Sequence, residues 1–416
     1  MLKEMQERQL INKRLFYAAI LSIAVILFNT TVCSQTPGEA YIQGSADLIA
    51  QNYDAAINNL SVVIVYNNAD EELFIKRGRA YLAIGETDKA IADFQEANQI
   101  IPDIADLWLA RTYAKIKNYD LAIGFLKNHL SSDYKVSEDS IKKDAAFDQL
   151  QETREWFNLW QNNWYDDTER TIADAHFFAR KKNYVEAIAV LDKSISLNPM
   201  NDKLLAKRAE FCYQSGNYSA AIADYNTLIR NDRNTMYYYS ERGKAYIEAG
   251  KYKDALTDLN KVIKDDPAEF DLYKLRAKAY AGMQQWSQAV KDMEFYLRYF
   301  NYDQDALFTC GEYCYNGGDY INALKYFNVN LSDNPNDSRY YKARGKTYYQ
   351  TSVYRFAYND LSMALDLDPS DAETWMLMGL VKHFTGEKQK SCSDLNKALN
   401  MGASAALKYI TEYCNE

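Results

Sequence analysis

Apolar residues along this chain recur at the three- and four-residue spacing of amphipathic α-helices, in segments separated by short polar or glycine-containing turns. The arrangement returns every 34 residues, and a small residue marks each period. A fixed period of this length predicts an all-α solenoid, because one helix pair cannot bury its apolar face without a neighbouring pair. The seven markers in unbroken register are Ala187, Ala221, Ala255, Ala289, Ala323, Ala357 and Ser391.

Three earlier copies of the unit, marked by Ala56, Ala90 and Ala122, bring the predicted number to about ten. The small residue is taken as position 20, so every position below is counted within its own 34-residue unit. Position 8 is Gly or Ala in each copy, as at Gly243 and Ala277, and this permits the two helices of a unit to approach closely. A Gly or polar turn separates the helices, and we number the units repeats one to ten.

The period is interrupted once, because 65 residues separate Ala122 from Ala187. We therefore predict a Trp-rich helical insertion, with Trp156, Trp160 and Trp164 as one stripe on a helix. The stripe could cap the first three repeats and join them to the others, or it could anchor a partner. The predicted segments are a signal peptide or membrane anchor at 1–34, repeats one to three at 35–130, the insertion at 131–167, repeats four to ten at 168–402 and a capping helix at 403–416.

Comparison among the repeats indicates a structural ion pair. Wherever position 7 is Arg, position 23 is Asp, and the two positions lie on different predicted helices of one repeat. We therefore predict a charge-assisted hydrogen bond between the two helices of each such repeat. A row of ligand-binding arginines is the alternative. The pairs are Arg77 with Asp93, Arg208 with Asp224, Arg242 with Asp258, Arg276 with Asp292, and Arg344 with Asp360.

The 34-residue pattern resembles the tetratricopeptide repeat (TPR) family; repeat six, for example, has Gly243, Tyr246, Tyr252, Ala255 and Pro267 at the family's offsets. The resemblance implies a concave face lined by first helices, at positions near 2, 5, 9 and 12. Cations and aromatic residues there would suit an extended, partly acidic peptide, although lysines are also common on ordinary helix surfaces. The implied partner-binding residues are Tyr213, Lys244, Lys274, Lys278, Phe308, Tyr315, Arg339, Lys342, Lys346 and Tyr349.

The first residues have the pattern of an export signal. Lys13 and Arg14 precede a run dominated by apolar residues from Leu15 to Phe28, which is too short to span a bilayer comfortably as a helix. We expect cleavage after Ser34 and a periplasmic protein. An uncleaved inner-membrane anchor and a lipoprotein attached through Cys33 are the alternatives. Contact with a membrane is expected only through this segment, if it is retained or lipidated.

Composition and cysteine placement narrow the possible chemistry. A net charge of −9 without a basic tract argues against nucleic acid as a partner. The three histidines fall in separate repeats, and there is no phosphate-binding loop or nucleophile motif, so we expect no enzymatic activity, metal or cofactor. Cys392 and Cys414 lie in the last repeat and in the helix after it, where a disulfide could hold the C-terminal end.

These observations predict a non-enzymatic protein–protein interaction scaffold of the bacterial cell envelope. The export signal, the Tyr-rich repeats and the cysteine-containing end resemble exported TPR proteins of Bacteroidota, which implies a role as an accessory of a secretion or outer-membrane complex. A carbohydrate- or peptidoglycan-binding module is the alternative, because inner-face tyrosines could stack on sugars. The sequence does not identify the partner.

Overall fold

The computed structural model describes residues 36–414 of the chain, so the predicted signal segment and Cys33 lie outside the described residues. The described part contains 23 α-helices, two 3₁₀ helices and no strand. It divides into two compact units, with the boundary after Trp164. In both units successive helices pair and each pair packs on the next, which confirms the predicted all-α repeat fold.

The first unit contains three helix pairs. Three of the six helix starts are capped by short polar side chains; Asp70, for example, accepts a hydrogen bond from the N–H of Glu72 at 3.1 Å. Each second helix packs on the first helix of its own pair, and the first two second helices also pack on the first helix of the next pair. The helices are α1 (Pro37–Ile49), α2 (Tyr53–Tyr66), α3 (Glu71–Ile84), α4 (Thr87–Ile100), α5 (Asp106–Lys115) and α6 (Tyr119–Ser131).

The end of the first unit, after α6, consists of short elements. They are α7 (Glu138–Lys142), 3₁₀ helices at Ala145–Phe147 and Leu150–Glu152, and α8 (Arg154–Leu159).

The predicted stripe of three tryptophans on one helix is wrong. The helix α8 ends at Leu159, ahead of an Asn-containing segment that disfavours helix, so Trp164 lies beyond it and Trp160 only caps it. Trp164 folds back, and its indole N–H donates to the Leu159 carbonyl at 2.7 Å. Trp156 is 6% exposed, so its indole belongs to the core of this unit and is not an exposed partner anchor.

The second unit contains seven helix pairs and one terminal helix. Its helices are α9 (Asp167–Ala179), α10 (Tyr184–Leu197), α11 (Asp202–Gln214), α12 (Tyr218–Asn231), α13 (Met236–Glu248), α14 (Tyr252–Asp265), α15 (Phe270–Gly282), α16 (Trp286–Tyr299), α17 (Gln304–Asn316), α18 (Tyr320–Asp333), α19 (Ser338–Gln350), α20 (Tyr354–Leu367), α21 (Ala372–Phe384), α22 (Lys388–Asn400) and α23 (Ala406–Tyr413).

One backbone conformation recurs in the turn of all ten repeats. Position 15 has a positive φ between 58° and 87° in every copy, the left-handed region that glycine adopts without strain. Five copies have glycine there and five carry a side chain, so the turn geometry is kept even where the residue type does not favour it. These residues are Gln51, Gly85, Lys117, Lys182, Gly216, Gly250, Gln284, Gly318, Ser352 and Gly386.

The core of each repeat lies where position 8 of the first helix faces position 24 of the second. At Gly311 a Cβ atom would lie 2.6 Å from Cε1 of Phe327, which is closer than real Cβ atoms approach. Gly78 stands in the same relation to Phe94, with a distance of 2.7 Å. In these two repeats the Phe ring at position 24 leaves no room for a Cβ atom at position 8, so the two helices pack closely there.

Candidate functional site

Five repeats contain a bidentate pair between Arg at position 7 and Asp at position 23. In repeat two, Nε of Arg77 donates to Asp93 at 2.9 Å and Nη2 donates to the other carboxylate oxygen at 2.7 Å. The structure brings together the other four pairs in the same way: Arg208 with Asp224, Arg242 with Asp258, Arg276 with Asp292, and Arg344 with Asp360.

These five arginines also reach the preceding repeat, a contact that sequence reasoning missed. In each case Nη1 donates to a polar side chain at position 25 of the repeat before, at 2.6–3.0 Å. Each of these guanidinium groups therefore links three helices. Because its nitrogens already donate to protein side chains, these five arginines do not form a row of ligand-binding residues. The sequence does contain a signal for this contact, because a residue with a side-chain hydrogen-bond acceptor recurs at position 25: Ser61, Asp192, Asn226, Asn260 and Asn328.

The six predicted inner-face cations all have acidic partners within 4.0 Å. Two of them pair within their own helix, and the others reach a loop or a neighbouring first helix. The pairs are Lys244 with Glu241, Lys274 with Asp271 and Asp303, Lys278 with Glu248, Arg339 with Asp337 and Asp305, Lys342 with Asp371 and Glu373, and Lys346 with Glu373. In repeats six to nine this face is therefore balanced in charge and is not a cationic groove.

The densest of these contacts lies between repeats nine and ten. Lys342 is 2.9 Å from Asp371 and 3.4 Å from Glu373, and Lys346 is 3.5 Å from the other oxygen of Glu373. Although burial opposes it, the two carboxylates raise the pKa of the Lys342 ammonium. The Lys346 ammonium also lies 5.1 Å from the ring centre of Tyr315, close enough for a cation–π contact.

The predicted tyrosines at position 12 pack against the second helix of their own repeats. Tyr213, Tyr315 and Tyr349 contact the aromatic residue at position 17, with ring centres 5.6–6.1 Å apart. Burial raises the pKa of Tyr349 to about 12. Phe308 is similarly occupied, with ring centres 5.7 Å from Phe327 and 5.4 Å from Tyr340. One side of each ring is used in packing, and all four remain partly accessible.

The cysteines fall into one disulfide and three buried thiols among the described residues. Cys392 on α22 is bonded to Cys414, just after α23, and the α23 side chain of Tyr413 stacks on His383 at 3.8 Å between ring centres. The terminal helix is therefore held on repeat ten by a covalent bond and an aromatic contact. The thiols are Cys212, Cys310 and Cys314, and burial raises the pKa of the Cys212 thiol to about 11.

Neither a metal centre nor a spanning helix occurs in the described part of the chain. Residues 36–414 contain no group of three His, Cys, Asp or Glu side chains placed to hold a metal ion. Over the same residues, no helix has the length and apolarity needed to cross a membrane.

A cavity in the first unit was not predicted from the sequence. It lies on first helices of repeats one to three and is bordered by Arg79, Trp108 and Arg111. Arg79 and Arg111 both occupy position 9, which the resemblance to the repeat family places on the inner face. The predicted partner-binding residues all lie in repeats five to nine, so they do not include Arg79 and Arg111.

Comparison with known proteins gives matches to repeat proteins. Family models described as tetratricopeptide repeat match residues 71–104 and 172–235, and a model described as TPR repeat matches residues 243–284. The DnaJ homolog subfamily C member 3 of Gallus gallus is 25% identical over 216 residues, which are 47% of this chain and 43% of that protein. The match thus spans less than half of the relative's length.

Two solved structures illustrate the fold-level similarity. A tetratricopeptide repeat protein from Parabacteroides merdae aligns with a TM-score of 0.47 and 22% identity, over 60% of this chain and 99% of that one. The C-terminal part of a TPR repeat-containing protein from Cytophaga hutchinsonii aligns with a TM-score of 0.48 and 18% identity, over 57% of this chain and 98% of that one.

Proteins built from such repeats are generally non-catalytic. The ten helix pairs and the three family-model matches show that the chain contains tetratricopeptide repeats, and these repeats indicate a protein–protein interaction scaffold.

Proposed function

We propose that this protein is an exported, non-enzymatic scaffold of the bacterial cell envelope that binds a protein partner on the inner face of repeats five to nine, as an accessory of a secretion or outer-membrane complex. The observation that carries the inner-face assignment is the line of paired charges and half-accessible aromatic rings along these first helices. The Arg–Asp pairs fix the helices in place, so this surface needs little ordering when a partner binds.

The charge balance of the inner face favours a partner that carries both signs of charge. Ion pairs such as Lys278 with Glu248 have side chains that are 52% and 33% exposed, and pairs of this kind are worth about 0–1 kcal/mol each. A partner can therefore exchange them for its own contacts at small cost. A purely acidic peptide would have to compete with Glu248 and Glu373 for the same lysines.

Two features support export. Residues 15–28 have the apolar character of a signal-peptide core, and a disulfide between Cys392 and Cys414 is the kind of bond that persists in oxidising compartments. Periplasmic location follows if the segment is cleaved after Ser34. Retention would leave an inner-membrane anchor, and lipidation would occur at Cys33.

Partner binding is tested by crosslinking in intact cells with full-length chains. Changing Lys244, Lys278 and Lys346 to Glu should remove the crosslinked partner. The matched control changes Lys193, Lys253 and Lys291 to Glu, which alters the net charge equally on exposed residues of second helices. Loss of the partner in both variants, or in neither, contradicts an inner-face site, provided that circular dichroism finds both variants folded.

Location is tested separately by fractionating cells and determining the mass of the N-terminal fragment. A mature chain that begins at Gln35 in the periplasmic fraction is the expected result. A fragment beginning at Cys33 with an added acyl mass would identify a lipoprotein, and an intact residue 1–34 segment in the membrane fraction would identify an anchor. Full-length protein in the cytoplasmic fraction contradicts export.

A further inference from the structure

The exposed side of α20, the second helix of repeat nine, carries a line of apolar side chains. Phe356, Met363 and Leu367 are seven and then four residues apart, so they lie along one line of the helix. These residues are 48%, 41% and 39% exposed, and we call them the outer stripe. Phe356 is held in place by Tyr348, with the two ring centres 5.3 Å apart. The outer stripe is therefore an ordered apolar surface that faces solvent.

The repeat fold does not require such a stripe. Its residues occupy positions 19, 26 and 30, and in the second unit only repeat nine has apolar residues at all three positions. On α14 the same positions hold Asp254, Lys261 and Asp265. Helices α12, α14 and α16 expose no large apolar side chain along their described length. The stripe is thus a local feature of repeat nine that needs an explanation beyond the stacking of repeats.

Two charged residues beside the outer stripe lie at the unfavourable ends of the helix dipole. Arg355 is in the first turn of α20 and Asp366 is in its last turn, where the macrodipole disfavours a cation and an anion, respectively. Neither side chain has an ion pair or a hydrogen bond to any residue in 36–414. The Arg355 guanidinium lies 5.8 Å from the ring centre of Phe356, a contact within its own helix. Both charges therefore lack an opposite charge in the described chain.

A second copy of α20 packed antiparallel on the first supplies what both features lack. Reversal of the helix places the first turn of one copy beside the last turn of the other, so Arg355 of each chain meets Asp366 of the other chain. Phe356 of one chain likewise meets Leu367 of the other, and Met363 lies near the two-fold axis. A parallel arrangement would instead bring like charges together. The charge pattern of α20 is therefore complementary to itself only in the antiparallel orientation.

The neighbouring second helices set the extent of this surface. Ile321 and Val329 of α18 are exposed and continue the apolar surface on one side. On the other side α22 has Lys390 and Lys397 at positions 19 and 26, so the apolar surface ends there. One or two helices from each chain form an interface at the low end of the size range of specific complexes. We therefore expect reversible association with a Kd of about 1–10 μM.

We propose that two copies of this chain form a reversible dimer through the outer stripe, antiparallel about a two-fold axis, with Arg355 of each chain paired with Asp366 of the other. The interface goes beyond the proposed function, because it uses second helices and leaves the face formed by first helices accessible in both chains. A dimer would present two such faces, so it would bind a partner with repeated epitopes more tightly than a single chain does.

The interface is tested by sedimentation equilibrium of the full chain over a range of concentrations. Met363→Asp places a charge near the two-fold axis and should raise the dimer Kd about 100-fold, because a carboxylate would be buried without a partner. Lys193→Asp is the matched control. It introduces the same side chain at position 26 of α10, on an exposed residue, and should leave the Kd within about twofold.

The antiparallel orientation is tested with charge variants. Arg355→Glu and Asp366→Lys each place like charges at both ends of the contact, so each variant alone should raise the Kd about tenfold or more. An equimolar mixture of the two variants should recover a dimer of about wild-type affinity, because every introduced charge then meets an opposite charge on the other chain. The chain carrying both changes should dimerise as well, since the pairing is reversed but complete.

Three outcomes overturn the proposal. One is a wild-type chain that stays monomeric up to about 100 μM, which would leave the outer stripe to a different protein. Another is a dimer that persists in the Met363→Asp variant, which would place the contact elsewhere on the chain. The third is a mixture of the two charge variants that associates no better than either alone. Circular dichroism must find each variant folded, and Met363→Gln is the alternative substitution if the Asp variant is not.

The dimer and the proposed partner site are tested independently. The variant with Lys244, Lys278 and Lys346 changed to Glu should dimerise with the wild-type Kd, because these residues lie on first helices. Met363→Asp should in turn still crosslink to the envelope partner in intact cells. Loss of the partner site would therefore leave the dimer intact, and loss of the dimer would leave the partner site intact.

Discussion

Arg242 donates two hydrogen bonds to Asp258, at 2.8 Å from Nε and 2.7 Å from Nη2, and the pair joins α13 to α14 across the centre of repeat six. The Asp258 side chain is 4% exposed and that of Arg242 is 16% exposed. A third hydrogen bond, from Nη1 to Asn226 at 2.6 Å, extends the link to the preceding repeat. The same Arg–Asp geometry occurs in four other repeats, so this pair is the recurring link between the two helices of a repeat.

Asp258→Ala is expected to destabilise repeat six by about 3 kcal/mol, because it leaves the guanidinium partly buried without its carboxylate. Changing both residues to Leu should cost less than the single change, since no unpaired charge remains. Hydrogen exchange of α13 and α14 amides measures the effect locally. Asp265→Ala, at the exposed end of α14, is the control and should change exchange little; equal effects of the three variants would contradict the prediction.

Gly311→Ala is expected to destabilise repeat eight by about 1–3 kcal/mol, because the added methyl group overlaps the Phe327 ring. Gly124→Ala provides the opposite case. Gly124 lies inside α6 with no atom within 4 Å of the added Cβ, so the better helix propensity of Ala should stabilise that helix by about 0.5–1 kcal/mol. Hydrogen exchange of α18 and of α6 measures the two effects. If both substitutions stabilise, or both destabilise, their repeats, then contact with the added methyl group does not determine the effect of Gly→Ala.

The stability of the first unit should fall between pH 7 and pH 5 through His129. This side chain is 2% exposed, and burial, followed by the nearby Arg111 charge, lowers its pKa to about 4. Below pH 6.5 the unfolded chain takes up a proton that the folded chain excludes, so the free energy of unfolding decreases as the pH falls. The loss by pH 5 is about 2 kcal/mol.

The change His129→Gln should remove this part of the pH dependence while keeping an acceptor for the N–H of Val136, which now donates to Nε2 of His129 at 3.2 Å. Hydrogen exchange of residues 119–131 at pH 7 and pH 5, corrected for intrinsic exchange, compares the two chains. If both lose the same stability, the titration of other groups accounts for the effect and His129 does not.

Reduction of the disulfide should loosen the C-terminal end without unfolding the array. Cys392 and Cys414 are 22 residues apart, and closing a loop of that length stabilises by about 3 kcal/mol in the chain-entropy account. Reductant should therefore increase the exchange of α23 amides and lower the melting temperature of the last repeat. Cys414→Ser should melt identically with and without reductant; a remaining effect of reductant would point to another disulfide.

The sequence was sufficient for features that repeat with the period. Ten copies could be compared, so the coincidence of Arg77 with Asp93 and its four equivalents indicated which helices face each other. It was insufficient where contacts join different repeats: Lys278 meets Glu248 across 30 positions, and nothing in either residue's own repeat indicates the pairing.

Features outside the period were also poorly predicted. A spacing of four suggested one helix through Trp164, but local capping and Asn residues end that helix at Leu159. The cavity beside Trp108 depends on how the 3₁₀ segment after α7 folds against repeats one to three. That is a tertiary contact without a periodic signal in the chain.

The bridging guanidinium has a mechanical consequence for the second unit. Stretching the array lengthwise would shear one Arg-to-position-25 hydrogen bond at each joint where repeats five, six, seven and nine meet the repeat before them. Repeat eight has Cys310 in place of that Arg, and its joint carries instead a hydrogen bond from Tyr326 to Glu294 at 3.1 Å. Repeat ten also lacks that Arg, with Met378 in its place, but Lys342 and Lys346 of repeat nine pair with Asp371 and Glu373 across its joint. The joint between repeats seven and eight has neither the guanidinium nor such a cluster of ion pairs, so we expect it to yield first under an applied load.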